Sequence, residues 1–116
     1  APQRRMELDP AVRSTIMEGL REAAMEPDGT SYPIFGGYPI EIAGKTGTAE
    51  KGLLPDQSWY AALAPADDPQ YVVVTTIENG GFGAETAAPA AREILNHLHD
   101  ANATEIDTVG GEVSAD

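Results

Sequence analysis

The chain contains no cysteine, which excludes disulfides and thiolate metal ligands. It is also short of positive charge. Lys and Arg together number 7 against 19 acids, for a formal net charge of −12. Neutralising phosphates requires clustered Lys or Arg, so a nucleic-acid partner is excluded as the main function. The one basic pair, Arg4-Arg5, reads as a solvated terminal segment. No hydrophobic run approaches the length of a membrane span, and any membrane anchor of a parent protein is expected outside this sequence. Internal repeats are absent, and 116 residues allow one domain at most.

What is present divides simply. Residues 1–8 form a lead-in. Asp9-Pro10 has the chemistry of an N-cap followed by the first helical position. Val12, Ile16, Leu20 and Ala23 or Ala24 recur at helical spacing to about Met25, where Glu26-Pro27-Asp28-Gly29 ends the pattern. Residues 30–39, with Pro33, Gly36, Gly37 and Pro39, read as a loop. Three strand-like runs follow, at about 40–50, 57–64 and 70–78, with 53–56 connecting the first two. Ala66-Asp67-Asp68-Pro69 makes the second and third a hairpin; as a metal pair the two acids match by letter only. The nearly continuous β-rich run Val72 to Ile77 predicts a strand covered on both faces. A final helix is expected from about Ala88 to Leu98, with Ala91, Ile94, Leu95 and Leu98 as its apolar stripe. The expected fold class is therefore α/β (α+β), an antiparallel sheet flanked by helices. From His99 onward there are acids, no bases and few large apolar side chains, so 99–116 reads as a disordered acidic tail.

The stretch richest in chemistry is Ile40 to Glu50, where alternating apolar residues run into Lys45-Thr46-Gly47-Thr48. On a strand, Thr46 and Thr48 share one face while Lys45 and Gly47 share the other. A fixed cation, two hydroxyls and a glycine allowing close backbone approach can grip a carboxylate and an extended substrate. Gly44-Lys45-Thr46 also ends like a phosphate-binding P-loop. Pro39 stands where that motif needs its first glycine, however, and Gly47, Gly52 and Pro55 follow where a helix should start.

Lys-Thr-Gly is one of the signatures of penicillin-binding proteins and serine β-lactamases. Ala43 to Glu50 resembles the K-T-G strand of class B penicillin-binding proteins, the monofunctional peptidoglycan transpeptidases. Ser58 to Pro65 is similar to the strand that follows it there, Tyr71 to Asn79 to the next, and Ala87 to Leu95 to the C-terminal helix. The Asn79-Gly80-Gly81-Phe82-Gly83 approach leans toward the elongation-type, penicillin-binding protein 2-like branch. The resemblance covers roughly residues 9–98. It implies a C-terminal segment (1–98) of a transpeptidase domain, with a five-stranded antiparallel sheet between helices in the complete fold. The implied chemistry is attack by a serine on a D-Ala-D-Ala stem peptide, an acyl-enzyme, and transfer to a neighbouring peptide's amine, with β-lactams acylating the same serine. Lys45 and Thr48 are then the implied catalytic residues, Thr48 through its backbone N–H. Lys45, Thr46, Gly47 and Thr48 are the implied substrate contacts. No metal or organic cofactor is implied. The implied location is the extracytoplasmic face of a bacterial plasma membrane.

The family's nucleophile is missing. None of Ser14, Ser31, Ser58 or Ser114 has lysine three residues later, and no Ser-x-Asn occurs. The remaining N-terminal part of the domain, carrying the Ser-x-x-Lys serine, is thus an expected partner, beside the stem peptide and β-lactams. Two other readings stay open: a non-catalytic peptide-binding module on the same sheet, and a serine β-lactamase or penicillin-sensor domain. The other candidates have plainer explanations. His97 and His99 are two apart at a helix end, wrong for joint ligation from one face. Of Trp59 and Tyr60, adjacent on a strand, one is expected inside and one outside. Gly80, Gly81 and Gly83 do not fit a dinucleotide fingerprint and read as a turn. Glu50 and Lys51 are expected to be exposed at a strand end.

Overall fold

In the computed structural model, residues 1–99 are described. The tail expectation for 99–116 falls almost wholly outside them. Six elements appear in the order α1 (Pro10–Met25), α2 (Tyr32–Phe35), β1 (Ala43–Lys51), β2 (Leu54–Ala64), β3 (Tyr71–Ile77) and α3 (Ala87–His99). The strands form one antiparallel sheet in the order β1-β2-β3. The α+β class holds, with three of the fold's strands among the described residues.

Asp9 starts α1 as the sequence predicts. Its carboxylate accepts from the backbone N–H of Ala11 at 2.9 Å and of Val12 at 3.4 Å, and Pro10 lacks the N–H that would otherwise go unpaired. The last turn is fixed from outside the helix: Ser31 N–H and its hydroxyl both donate to Ala23 O, at 3.0 and 3.2 Å. The expected loop at 30–39 contains a short helical turn instead, with Pro33 inside its first turn and Phe35 fully buried. A four-residue element is too short for periodicity to announce it.

The first hairpin is tighter than the sequence suggests. Leu54 already pairs with Lys51, so 54–56 belong to β2 and only Gly52-Leu53 turn the chain, Gly52 taking φ +66°. At the other end Ile40 to Ile42 precede β1 rather than belonging to it.

The core lies on one side of the sheet. Tyr60, Ala62 and Ala64 of β2 and Val73 of β3 point to it. Facing them are Phe35, Ile34 and Tyr38 around α2, Ala24 of α1, and Ala87, Ala88, Ala91 and Leu95 of α3. Phe35 stacks on Tyr60 at 5.4 Å and meets Tyr38 edge-on at 5.6 Å. Arg92 lies over the Tyr38 ring and donates to Ile34 O at 2.8 Å, tying α3 to α2.

The opposite side of the sheet is open, and the outer faces of α1 and α3 are uncovered too, which corrects three expectations. Val72 and Val74 are 68% and 57% exposed, so β3 is covered on one face rather than two. Val12 and Ile16 are half exposed, so the apolar stripe of α1 meets the core only near its end, at Ala24. Ile94 and Leu98 of α3 are also partly exposed, and its buried set is Ala87, Ala88, Ala91 and Leu95. These residues are apolar as the patterns require, but nothing among the described residues covers them.

Candidate functional site

β1 is an edge strand among the described residues: it pairs with β2 alone. Its register sets Lys45 opposite Ala61, Thr46 opposite Tyr60, Gly47 opposite Trp59 and Thr48 opposite Ser58. Alternation therefore divides the four candidate residues between the two faces. Thr46 and Thr48 lie on the side of the core, with Tyr60 and Ser58. Lys45 and Gly47 lie on the open side, with Trp59 and Ala61. The structure brings all four to one free strand edge.

Lys45 is exposed, and among the described residues it makes no ion pair. Its Nζ donates to the carbonyl of Thr46 at 2.9 Å. The Thr46 hydroxyl donates to that of Thr30 at 3.3 Å, linking β1 to the turn after α1. Gly47 is close beneath Trp59: a Cβ there would stand 3.2 Å from Trp59 Cβ. Trp59 is 39% exposed and Tyr60 is buried, dividing that pair as expected.

Behind the strand the packing is polar and tight. A Cβ at Gly44 would overlap the Tyr60 hydroxyl, so glycine is needed there for the ring to reach Ser31, with the two hydroxyls 2.9 Å apart. Burial pushes the Tyr60 phenol up to about 12, against a smaller opposing effect of the Ser31 hydrogen bond. Ser58 is fully buried, donates to Phe82 O at 3.1 Å and accepts from Ala87 N–H at 3.1 Å. Gly83 N–H in turn donates to the Thr48 hydroxyl at 3.4 Å. The motif pointed to Lys45–Thr48 but not to Ser58, Gly44 or Gly83, whose roles depend on contacts distant in sequence. The one available signal was the short connection expected at 53–56, which brings the start of the second strand, with Ser58, back toward the end of the first.

The other candidates do not join the site. His99 packs its ring edge-on against Tyr71 at 5.2 Å, and His97 is exposed. Among the described residues no group of three His, Cys, Asp or Glu could hold a metal, and no helix is long and apolar enough to cross a membrane. A groove of about 510 Å³ lies elsewhere, lined among others by Leu8, Arg13, Met17, Glu41 and Asp67. Arg21 closes its wall by pairing with Glu18 at 2.8 Å, Glu26 at 3.3 Å and Glu41 at 3.6 Å. The Lys45–Thr48 chemistry sits on an open strand edge, not in that groove.

The family model "Penicillin binding protein transpeptidase domain" matches residues 1–96. Among curated proteins, the peptidoglycan D,D-transpeptidase MrdA of Salmonella typhimurium is 33% identical over 103 residues, covering 76% of this chain and 16% of that protein. The peptidoglycan D,D-transpeptidase PbpA of Mycolicibacterium smegmatis is 37% identical over 102 residues, covering 80% of this chain and 20% of its own. The chain thus spans about a sixth to a fifth of the length of these relatives. The crystal structure of Pseudomonas aeruginosa PBP2 in complex with WCK 5153 matches with a TM-score of 0.79 at 27% identity, over 92% of this chain and 24% of that one. Penicillin-binding protein A of M. tuberculosis, as a ceftriaxone acyl-enzyme, matches with a TM-score of 0.63 at 33% identity, over 81% of this chain and 22% of that one.

Proposed function

Because the chain belongs to the penicillin-binding protein transpeptidase domain family, we propose that it forms the Lys-Thr-Gly side of a D,D-transpeptidase cleft. The rest of that cleft would come from a longer polypeptide supplying a Ser-x-x-Lys nucleophile. The class B, elongation-type resemblance agrees with relatives named MrdA, PbpA and PBP2. The observation that carries the proposal is the free edge of β1, where Lys45, Thr46, Gly47 and Thr48 are consecutive.

In this reading the nucleophilic serine attacks the carbonyl between the two terminal D-alanines of a stem peptide. The Ser Oγ–C bond forms, the C–N bond breaks, and the terminal D-alanine leaves with a proton. A neighbouring peptide's amine then attacks the ester and restores the serine. β-Lactams enter the first step and stay attached. Lys45 contributes fixed positive charge, attracting the substrate carboxylate and favouring deprotonated groups beside the serine. Across the free edge of the strand, the Thr48 hydroxyl and, once released from Thr30, that of Thr46 hold that carboxylate. Alternate residues of a strand direct their backbone groups to the same edge, so the N–H of Thr48 shares an edge with the Thr46 carbonyl that Lys45 reaches. From there it can serve as one of two donors to the developing oxyanion. The parent's substrate side is proposed to face the cell wall, outside the plasma membrane.

The test is Lys45→Ala in the complete domain. Losing one preorganised electrostatic contact costs about 3 kcal/mol, or roughly a hundredfold in acylation by penicillin, and transpeptidation should fall in parallel. Acylation within threefold of the parent would remove Lys45 from the site. Names of relatives favour a transpeptidase over a β-lactamase or sensor domain. A complete domain that hydrolyses penicillin rapidly after acylation would reverse that preference. Absence of any Ser-x-x-Lys from the parent would leave the peptide-binding module.

A further inference from the structure

The segment between β3 and α3 crosses behind all three strands and is fastened to each. From β3, the Thr75 hydroxyl donates to Ala87 O at 2.7 Å. From β2, Ser58 makes the two bonds already described, to Phe82 O and from Ala87 N–H. To β1, Gly83 N–H donates to the Thr48 hydroxyl. Gly83 lies flat on the Gly47–Trp59 pair. A Cβ there would stand 2.7 Å from Gly47 O and 2.8 Å from Gly47 N, and would overlap Trp59 O. The segment therefore rests on the backbone of the Lys45–Thr48 strand at the residue between the two threonines.

We propose that Ser58 and Gly83 are positioning residues for the Lys45–Thr48 strand: they hold the 80–87 segment against it and so set the orientation of Thr48. The proposal rests on the reading of that strand as one wall of the cleft. Two consequences follow for Thr48. Its hydroxyl accepts from Gly83 N–H, which leaves its own hydrogen free to be given to an anion. Its backbone is held from the side away from the free edge, so its N–H stays fixed while charge builds on a reacting oxygen. A donor fixed in advance needs no reorganisation at the moment of reaction. Ser58 acts at one remove. It touches no substrate, but without its hydroxyl the Ala87 N–H loses its partner in a buried place, while Phe82 O keeps only the Glu85 N–H at 3.0 Å, and the segment has to shift to recover the lost bond.

The experiment measures acylation of the complete domain by a fluorescent penicillin. The acylation rate constant and the pre-acylation dissociation constant are separated, and both are normalised to titrated active sites. Ser58→Ala and Gly83→Ala are each expected to lower the rate constant at least tenfold while changing the dissociation constant less than threefold. Thr86→Val removes a bond inside the same segment, from Thr86 Oγ1 to Gly80 O at 3.0 Å, without touching the strand, and is expected to stay within threefold of the parent. A merely structural role would lower the melting temperature or the titratable fraction and leave the normalised rate constant alone. If Ser58→Ala and Gly83→Ala acylate at the parent rate while Lys45→Ala does not, the positioning proposal is overturned and the cleft reading stands. Thr86→Val falling as far as Ser58→Ala would assign the effect to the integrity of the segment and overturn it too. Parent-like acylation by Lys45→Ala would remove the reading on which it rests, and the proposal with it.

Discussion

At the scale of single residues, the site is governed by where side chains are absent as much as by where they are present. Within the motif the case is Gly47, where a Cβ would crowd Trp59 Cβ at 3.2 Å. Valine would push branches further into that contact and onto the open face that the proposed substrate approaches. Gly47→Val is expected to lose acylation far more than Thr46→Ser, which keeps its hydroxyl. Equal activity of the two variants, in the same titration assay, would mean that the open face is not the cleft. Tyr60 gives a test at high pH. Its phenol is held near 12 by burial, above its ordinary value, so between about pH 10 and 12 the unfolded chain gives up a proton that the folded one keeps. Stability from this group is complete below pH 10 and declines as the pH rises through that window, by on the order of 2 kcal/mol. Tyr38, also raised by burial, adds in the same direction. Denaturant titrations should show a shallower alkaline decline for Tyr60→Phe than for the parent, beside a loss of about 1 kcal/mol at neutral pH from the missing Ser31 bond. An unchanged slope would mean that the phenol reaches solvent.

At the scale of elements, start signals and alternation were readable, while coverage was not. The Asp9-Pro10 start of α1, the hairpin of β2 and β3 and the limits of α3 follow from local chemistry that each segment carries in itself. Asp9→Ala removes the acceptor for two N–H groups at the start of α1 and should cost about 1 kcal/mol, seen as a fall of a few degrees in melting temperature. Asp9→Asn should recover most of it. Val72 and Val74, by contrast, read as buried because β-branched residues follow one another. That pattern records what a face is suited to meet, not whether the partner belongs to the same stretch of chain. The same holds for Val12 and Ile16. The Lys-Thr-Gly strand was legible because its residue types are unusual together. Ser58 and Gly83 were not, because a serine that caps a distant helix, and a glycine that lies on a distant strand, look like any other serine and glycine until the chain is folded.

At the scale of the whole molecule, one face of the sheet is finished and the other is not. Trp59, Val72 and Val74 form an apolar surface that this chain leaves in water, and both β1 and β3 have an unpaired edge among the described residues. Covalent catalysis also needs a nucleophile within reach of its base, and no serine here is followed by one at the family's spacing. The 116-residue chain alone is therefore expected to take no covalent label from fluorescent penicillin, and to gain it when refolded with the part bearing Ser-x-x-Lys. Stoichiometric labelling of a serine in the chain by itself would overturn this account.

The open edge of β1 has a price of its own. In the proposed reading the strand accepts a peptide and cannot be sealed by a neighbouring strand, so its exposed amides and carbonyls welcome any extended chain, a second copy included. The edge is guarded by chemistry that discriminates instead of by cover. Lys45 stands on it, and a ladder joining two copies in parallel register would bring like charges together there. Beyond the edge, a net charge of −12 on every copy repels the next one before contact. An acidic peptide terminus meets the opposite treatment at Lys45. The same cation that discourages self-pairing thus favours the visitor whose end is a carboxylate. Raising the salt concentration should weaken both effects together, so that lower affinity for anionic peptides and greater self-association would be two readings of one screened charge.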